Sequence, residues 1–212
     1  MVSGDSATGK CASALNDSRL SISDNEFRQL RELIHAHTGI ALSEHKKALV
    51  CSRLAKRLRH HDLHCYADYY RLLVENDTAG AELMAMINSI TTNKTDFFRE
   101  AHHFQFLAER VFSAWRLNPQ RERPLRIWSA AASTGEEAYS IAMTALEALP
   151  SLREQDVSIL ATDIDTDVLA RAAAGVYTGN QAAQIPKDLL HRYFLKGTGT
   201  YLGKVMVKPA LT

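Results

Sequence analysis

From Phe27 onward the apolar residues Phe27, Leu30, Leu33 and Ile34 recur at a spacing that gathers them on one face of a helix. Ahead of them Ser23-Asp24-Asn25-Glu26 forms a capping box, in which Ser and the Glu three residues on each take an otherwise unpaired backbone N–H. Gly39 supplies the stop. A second helix is predicted from Ser43 to about His60, with Val50, Cys51, Leu54, Ala55 and Leu58 as its buried arc. Two more follow, from about Tyr66 to Glu75 and from about Ala79 to Ile90, the latter with Leu83, Met86, Ile87 and Ile90 in phase. Residues 21–91 therefore read as a small all-α bundle.

Beyond that the pattern changes. Phe104, Leu107, Ala108, Val111, Phe112 and Trp115 give one more amphipathic helix, ended by Asn118-Pro119. Leu125 to Ser129 is a short apolar strand. Glu136 to about Leu149 is a helix with Tyr139, Met143, Leu146 and Leu149 along one side, stopped by Pro150. Val157 to Thr162 is a second strand, apolar on both faces as a central parallel strand should be. Asp165-Thr166-Asp167 starts a helix that closes at Gly175, and Pro186 opens another that runs to Phe194. Gly197 to Val207 predicts a small hairpin. The predicted organisation is a tail (1–20), a helical domain (21–91), a linking segment and helix (92–124), and an α/β domain (125–212) with the start of a hairpin subdomain near 197–212.

Composition narrows the classes. Hydrophobic residues are 46% and charged residues 23% of the 212, an ordinary globular balance. The net charge of +1 argues against a generic nucleic-acid binder. No apolar run approaches the ~20 residues that span a bilayer, and the N-terminus has no apolar leader core, so a cytoplasmic protein with no direct membrane insertion is expected. Cys11, Cys51 and Cys65 make no CxxC pair and read as reduced thiols. The tail is rich in Ser, Gly, Ala, Asp and Asn and reads as disordered. Its Gly4-Asp5-Ser6-Ala7-Thr8-Gly9-Lys10-Cys11 nearly spells a phosphate-binding loop, but Cys11 stands where magnesium needs Ser or Thr, and no strand precedes Gly4. His60-His61 and His102-His103 lack ligand spacing on one face, so no metal site is expected.

Chemistry concentrates between Ile127 and Asp165. The order there is strand, the small-residue loop Trp128-Ser129-Ala130-Ala131-Ala132-Ser133-Thr134-Gly135-Glu136-Glu137, helix, strand, then Asp163. Parallel α/β sheets use that order to hold an adenosine-bearing cofactor: small residues let it approach the backbone, and an Asp after the next strand can accept from both ribose hydroxyls. A nicotinamide-dependent dehydrogenase is disfavoured because the loop has no GxGxxG pattern. Thr91-Thr92-Asn93-Lys94-Thr95-Asp96-Phe97-Phe98-Arg99-Glu100 is too polar for a core and too aromatic for a solvated loop. It reads either as a polar ligand site against an apolar wall or as a linker whose Phe residues staple two domains. Lys46, Arg53, Lys56, Arg57 and His60 share an arc of the second helix, interrupted by Leu49. By charge alone that arc reads as a solvated face; the alternative is a docking surface for an acidic partner.

Together these motifs resemble the chemotaxis receptor methyltransferases, the CheR family, which use S-adenosylmethionine to methylate receptor glutamates. The resemblance rests on Thr91 to Glu100, on Trp128 to Glu137 with Tyr139-Ser140-Ile141-Ala142, on Ala161 to Asp165, and on Arg192-Tyr193-Phe194 followed by Gly197-Thr198-Gly199. It implies a Rossmann-like class I methyltransferase domain after the helical bundle, with S-adenosylhomocysteine as the product of the cofactor. By the same resemblance Asn93, Thr95, Arg99 and Glu137 are cofactor contacts and Asp163 holds the ribose. Arg99 is in addition expected to orient the reactants, since a guanidinium grips a carboxylate bidentately. The implied partners are the cytoplasmic helices of methyl-accepting receptors, docked at Arg53, Lys56 and Arg57. In the family the sheet continues past the hairpin through an Asn-Leu pair and an Arg-Asn…Tyr-Phe segment, and neither follows Val207. The α/β domain is thus expected to be incomplete and truncated at its C-terminus, with an unpaired sheet edge and uncovered apolar faces that favour aggregation. The competing readings are a receptor-docking fragment without catalysis and a methyltransferase acting on RNA.

Overall fold

The computed structural model describes residues 21–118, 124–151, 153 and 156–211. The predicted tail, its phosphate-loop-like stretch and Cys11 lie outside the described residues. The chain divides into two compact units, the second beginning at Thr92.

The first unit is built from α1 (Asp24–Thr38), α2 (Lys47–His60), α3 (Tyr66–Arg71) and α4 (Ala81–Ile90). The capping box forms as read: Ser23 Oγ accepts the Glu26 N–H at 3.2 Å and Glu26 Oε2 accepts the Ser23 N–H at 2.8 Å. The other Glu26 oxygen accepts the Ala67 N–H at 2.9 Å. One carboxylate therefore satisfies the first turns of two helices, and α3 needs it because Cys65 at its N-cap makes no side-chain bond to the helix. Phe27, Leu30 and Ile34 of α1 meet Val50, Leu54 and Leu58 of α2, Tyr66 and Tyr69 of α3, and Met86, Ile87 and Ile90 of α4 in one core. At about 1.5–3 kcal/mol for each large apolar side chain buried, this core is the main force holding the unit.

The second unit starts with α5 (Ala101–Phe106), a π-helical stretch Leu107–Phe112 and α6 (Ser113–Leu117), run end to end. The Ser113 hydroxyl donates to the Ala108 carbonyl five residues back at 3.2 Å, which suits that wider turn. Then come β1 (Leu125–Ala130), α7 (Glu136–Ala148), β2 (Val157–Thr162) and α8 (Thr166–Ala174). β1 and β2 pair in parallel, from Leu125 opposite Val157 to Ala130 opposite Thr162. One face of the pair, through Leu125, Ile127 and Val157, packs on Phe112, Ala145 and Leu149. The other face is open. Leu160 and its register partner Trp128 are 59% and 68% exposed, because none of the described elements packs over them.

The chain ends in β3 (Val176–Thr178), α9 (Gly179–Ala182), α10 (Lys187–Tyr193), β4 (Phe194–Lys196) and β5 (Lys204–Val207). β5 lies between β3 and β4, antiparallel to both. The hairpin predicted within 197–207 therefore supplies two strands of a three-stranded sheet, its arms are β4 and β5, and β3 is not marked in the sequence. Gly197 is required where the hairpin closes, since a Cβ there would sit 2.1 Å from the Tyr201 carbonyl oxygen. Beneath this sheet Phe97, Met143, Tyr177, Tyr193 and Phe194 form a core, with Phe97 edge-on to Tyr177 and Phe194 at 4.8 and 5.7 Å.

Candidate cofactor site

The loop after β1 is tight. Ala132 N–H donates to the Thr162 carbonyl and Gly135 N–H to the Ala132 carbonyl, both at 2.9 Å, so the loop folds back onto the end of β2. Gly135 takes φ 93° to start α7, and a Cβ there would meet Ala172 Cβ at 2.8 Å. Among the described residues five non-glycine residues have positive φ, and four of them, Phe98, Glu100, Ala131 and Ser133, flank Arg99 or build this loop. That conformation costs about 1–2 kcal/mol per residue, so strain is concentrated in the two segments singled out from the sequence.

Asp163 follows β2 directly. Its Oδ2 accepts the Ser133 N–H at 2.8 Å and its Oδ1 the Asp165 N–H at 2.9 Å. An ionised carboxylate has about four acceptor positions, so two such bonds fix its plane and leave acceptor capacity on both oxygens, which suits a ribose diol. Asn93 joins the same group: its Nδ2 donates to Asp165 Oδ2 at 2.5 Å, and its carbonyl accepts the Ser133 hydroxyl at 2.9 Å.

Glu137 and Arg99 meet elsewhere, in the lining of a cavity of about 600 Å³ completed by His102, His103, Phe104, Phe106, Leu107 and Ile141. Ser129 Oγ donates to Glu137 Oε1 at 2.7 Å and orients it, while the Arg99 guanidinium donates to the Lys94 carbonyl at 3.0 Å. The neighbouring Glu136 turns the other way. It is 2% exposed and accepts from Thr134 Oγ1 at 2.6 Å and Gln181 Nε2 at 3.1 Å. Burial, then the Glu136 and Tyr139 side chains, push the Tyr177 phenol up, which keeps it a donor to the Thr134 carbonyl at 2.7 Å.

Of the sequence-derived residues, Asn93 and Asp163 share one hydrogen-bonded group and Arg99 and Glu137 share the cavity. Thr95 is half-buried between them in sequence and belongs to neither set. Within 91–100, Phe97 is a core residue of the second unit, and the Asn93 carbonyl accepts from Ser133 of the loop. Ser129, Ser133 and Asp165 were missed as site residues. The first two were read only as small loop residues and the third only as a helix start.

Residues 93–211 match the CheR methyltransferase SAM binding domain, and residues 25–91 match the CheR methyltransferase all-alpha domain. The chain belongs to the CheR family. It is 50% identical over 182 residues to chemotaxis protein methyltransferase 2 of Pseudomonas aeruginosa, covering 86% of this chain and 62% of that protein. The chemotaxis protein methyltransferases of Klebsiella aerogenes and Escherichia coli are 45% and 44% identical over 91% of this chain and 63% and 64% of their own lengths. The chain thus spans just under two thirds of the curated relatives it matches. The site above lies inside the CheR SAM binding domain, which indicates S-adenosylmethionine as the cofactor.

The CheR all-alpha domain carries the basic arc, and its members differ in what they touch. Lys56 is exposed, whereas Arg53 is half-buried and donates to the carbonyls of Ile90 and Thr91. Arg57 is committed to the interior. It donates to both Glu82 oxygens, through Nε at 2.9 Å and through Nη2. Glu82 was missed in the sequence, although it precedes the buried Met86 by one helical turn.

Proposed function

We propose that the protein is a methyltransferase that converts glutamate side chains of chemotaxis receptors to methyl esters. The observation that carries this reading is the placement of Asp163, Ser133 and Gly135 at the carboxyl ends of two parallel strands, within a domain matched to the CheR SAM binding domain. The curated relatives, by name chemotaxis protein methyltransferases, support the process.

The cofactor supplies an electrophilic methyl group, which a glutamate oxygen takes as the C–S bond breaks and its electron pair stays on sulfur. A solvated Glu has a pKa of about 4.3 and is already ionised at neutral pH. No general base is required, and none is assigned. Asp163 holds the ribose, Glu137 and Arg99 line the cavity beside the loop, and Asn93 and Thr95 complete the contacts from the preceding segment. Their work is alignment and exclusion of water; well-oriented reactants reach effective molarities of about 10⁵–10⁸ M. The receptor docks at the basic face of α2. Of the three docking residues Lys56 is the exposed one, Arg53 is half-buried, and Arg57 contributes chiefly by holding the helix in place.

Titrating S-adenosylhomocysteine into the chain calorimetrically tests the site. Saturable one-to-one binding is expected, lost in Asp163→Ala and weakened at least about tenfold in Arg99→Ala. Absence of binding by the folded wild type overturns the cofactor reading for this chain. Receptor binding without methyl transfer would favour the docking reading instead, and steeply salt-dependent RNA binding the RNA reading.

A further inference from the structure

The hydrogen bonds of Asn93, Ser133, Asp163 and Asp165 close into a ring. Asn93 donates to Asp165 through its side chain and accepts from the Ser133 hydroxyl on its carbonyl. Ser133 and Asp165 each donate a backbone N–H to Asp163. The ring joins four pieces of chain: the segment before α5, the loop after β1, the residue after β2, and the N-cap of α8. Asp165 is 2% exposed and does two jobs in it, one per oxygen. Oδ1 caps α8 through the N–H groups of Asp167 and Val168, at 3.0 and 3.2 Å, and Oδ2 takes Asn93.

A buried carboxylate is acceptor-only, so only the Nδ2 end of the Asn93 amide can face it. We propose that Asp165 is a positioning residue: it fixes which way the Asn93 amide points and pins the segment 92–100 to the cofactor loop. The inference deepens the proposed cofactor reading of that segment. With Nδ2 held by Asp165, the Asn93 amide keeps one orientation, with its side-chain oxygen on the side away from Asp165. Asp165 itself need not touch the ligand.

The test uses the reciprocal swap. Asp165→Asn keeps a good N-cap oxygen for α8, because Asn caps as well as Asp, but it sets two amide NH₂ groups against each other or forces Asn93 to turn over. Asn93→Asp places two carboxylates together. The double variant restores one donor–acceptor pair with its polarity reversed. Hydrogen exchange of the 92–100 amides in the ligand-free chain is measured first, then affinity for S-adenosylhomocysteine. Each single variant is expected to raise exchange across 92–100 and to weaken binding about tenfold, the worth of one charged hydrogen bond. The double variant is expected to recover both to within about threefold of wild type. Unchanged exchange in Asp165→Asn, or a double variant no better than the singles, overturns the proposal. A wild type that fails to bind S-adenosylhomocysteine sinks the cofactor reading alone, since exchange still decides the part played by Asp165.

Discussion

Glu82 is 8% exposed and takes hydrogen bonds from Arg57, from Tyr69 at 2.7 Å and from His61 at 2.7 Å. Burial pushes its carboxyl up, but the bonds from Arg57, Tyr69 and His61 together prevail and hold the pKa at about 2, below the ordinary 4.5. A depressed folded-state pKa stabilises the fold above the unfolded value and loses that contribution as pH falls through the folded one. The stabilisation is therefore complete above pH 4.5 and disappears toward pH 2. Breaking a buried charge cluster by removing one partner costs about 3–5 kcal/mol. Glu82→Gln is expected to destabilise the fold at pH 7 by that amount, seen as a lower melting temperature, and to flatten the fall in stability between pH 4.5 and 2. Parallel thermal melts of the two proteins across that range check both; superimposable curves would reduce the cluster to a surface ion pair.

At the scale of elements, the contact between the start of α7 and α8 depends on one residue. Gly135→Ala must adopt a left-handed conformation and also displace Ala172, whose Cβ lies 2.8 Å from where the new methyl would go. Adding the conformational cost to that of overpacking gives about 3 kcal/mol, and the loop carrying Ser133 would shift with it. Chemical denaturation should show the loss and calorimetry weaker binding of S-adenosylhomocysteine; an unaffected variant would mean that the loop is not tightly held. Elements that carry their own punctuation are legible in the sequence. Ser23 with Glu26, Gly39, Asp165 and Gly175 each state a helix boundary within a few residues of chain. β3 is not legible, because Val176, Tyr177 and Thr178 become a strand only on pairing with Met206, Val205 and Lys204. The same holds for the site. Asp163 is suggested by the order of strand, loop, helix and strand, and Glu137 by the family resemblance, whereas the bond from Asn93 to Asp165 spans 72 residues and no local pattern announces it.

At the scale of the molecule, parallel strands ordinarily have both faces covered, yet β1 and β2 are covered on one by the described elements. Trp128 and Leu160 sit side by side on the other, and apolar pairs of this kind on a sheet invite association. The chain of 212 residues is expected to self-associate as its concentration rises, and Leu160→Lys to shift it toward monomer. Light scattering over a concentration series decides the matter: a monodisperse monomer with a sharp, cooperative melt would contradict the expectation.

Trp128 also gives the molecule an optical handle. The chain has two tryptophans; Trp115 packs in the core around Phe112 and Leu149, while the Trp128 indole stands in water with its N–H on Thr162 Oγ1 at 2.9 Å. Its emission should be red-shifted and open to collisional quenchers, and Thr162 directly precedes Asp163. Whatever comes to lie on that sheet face, whether another copy, a ligand or further polypeptide, will announce itself as a blue shift and a loss of quenching, with no label attached.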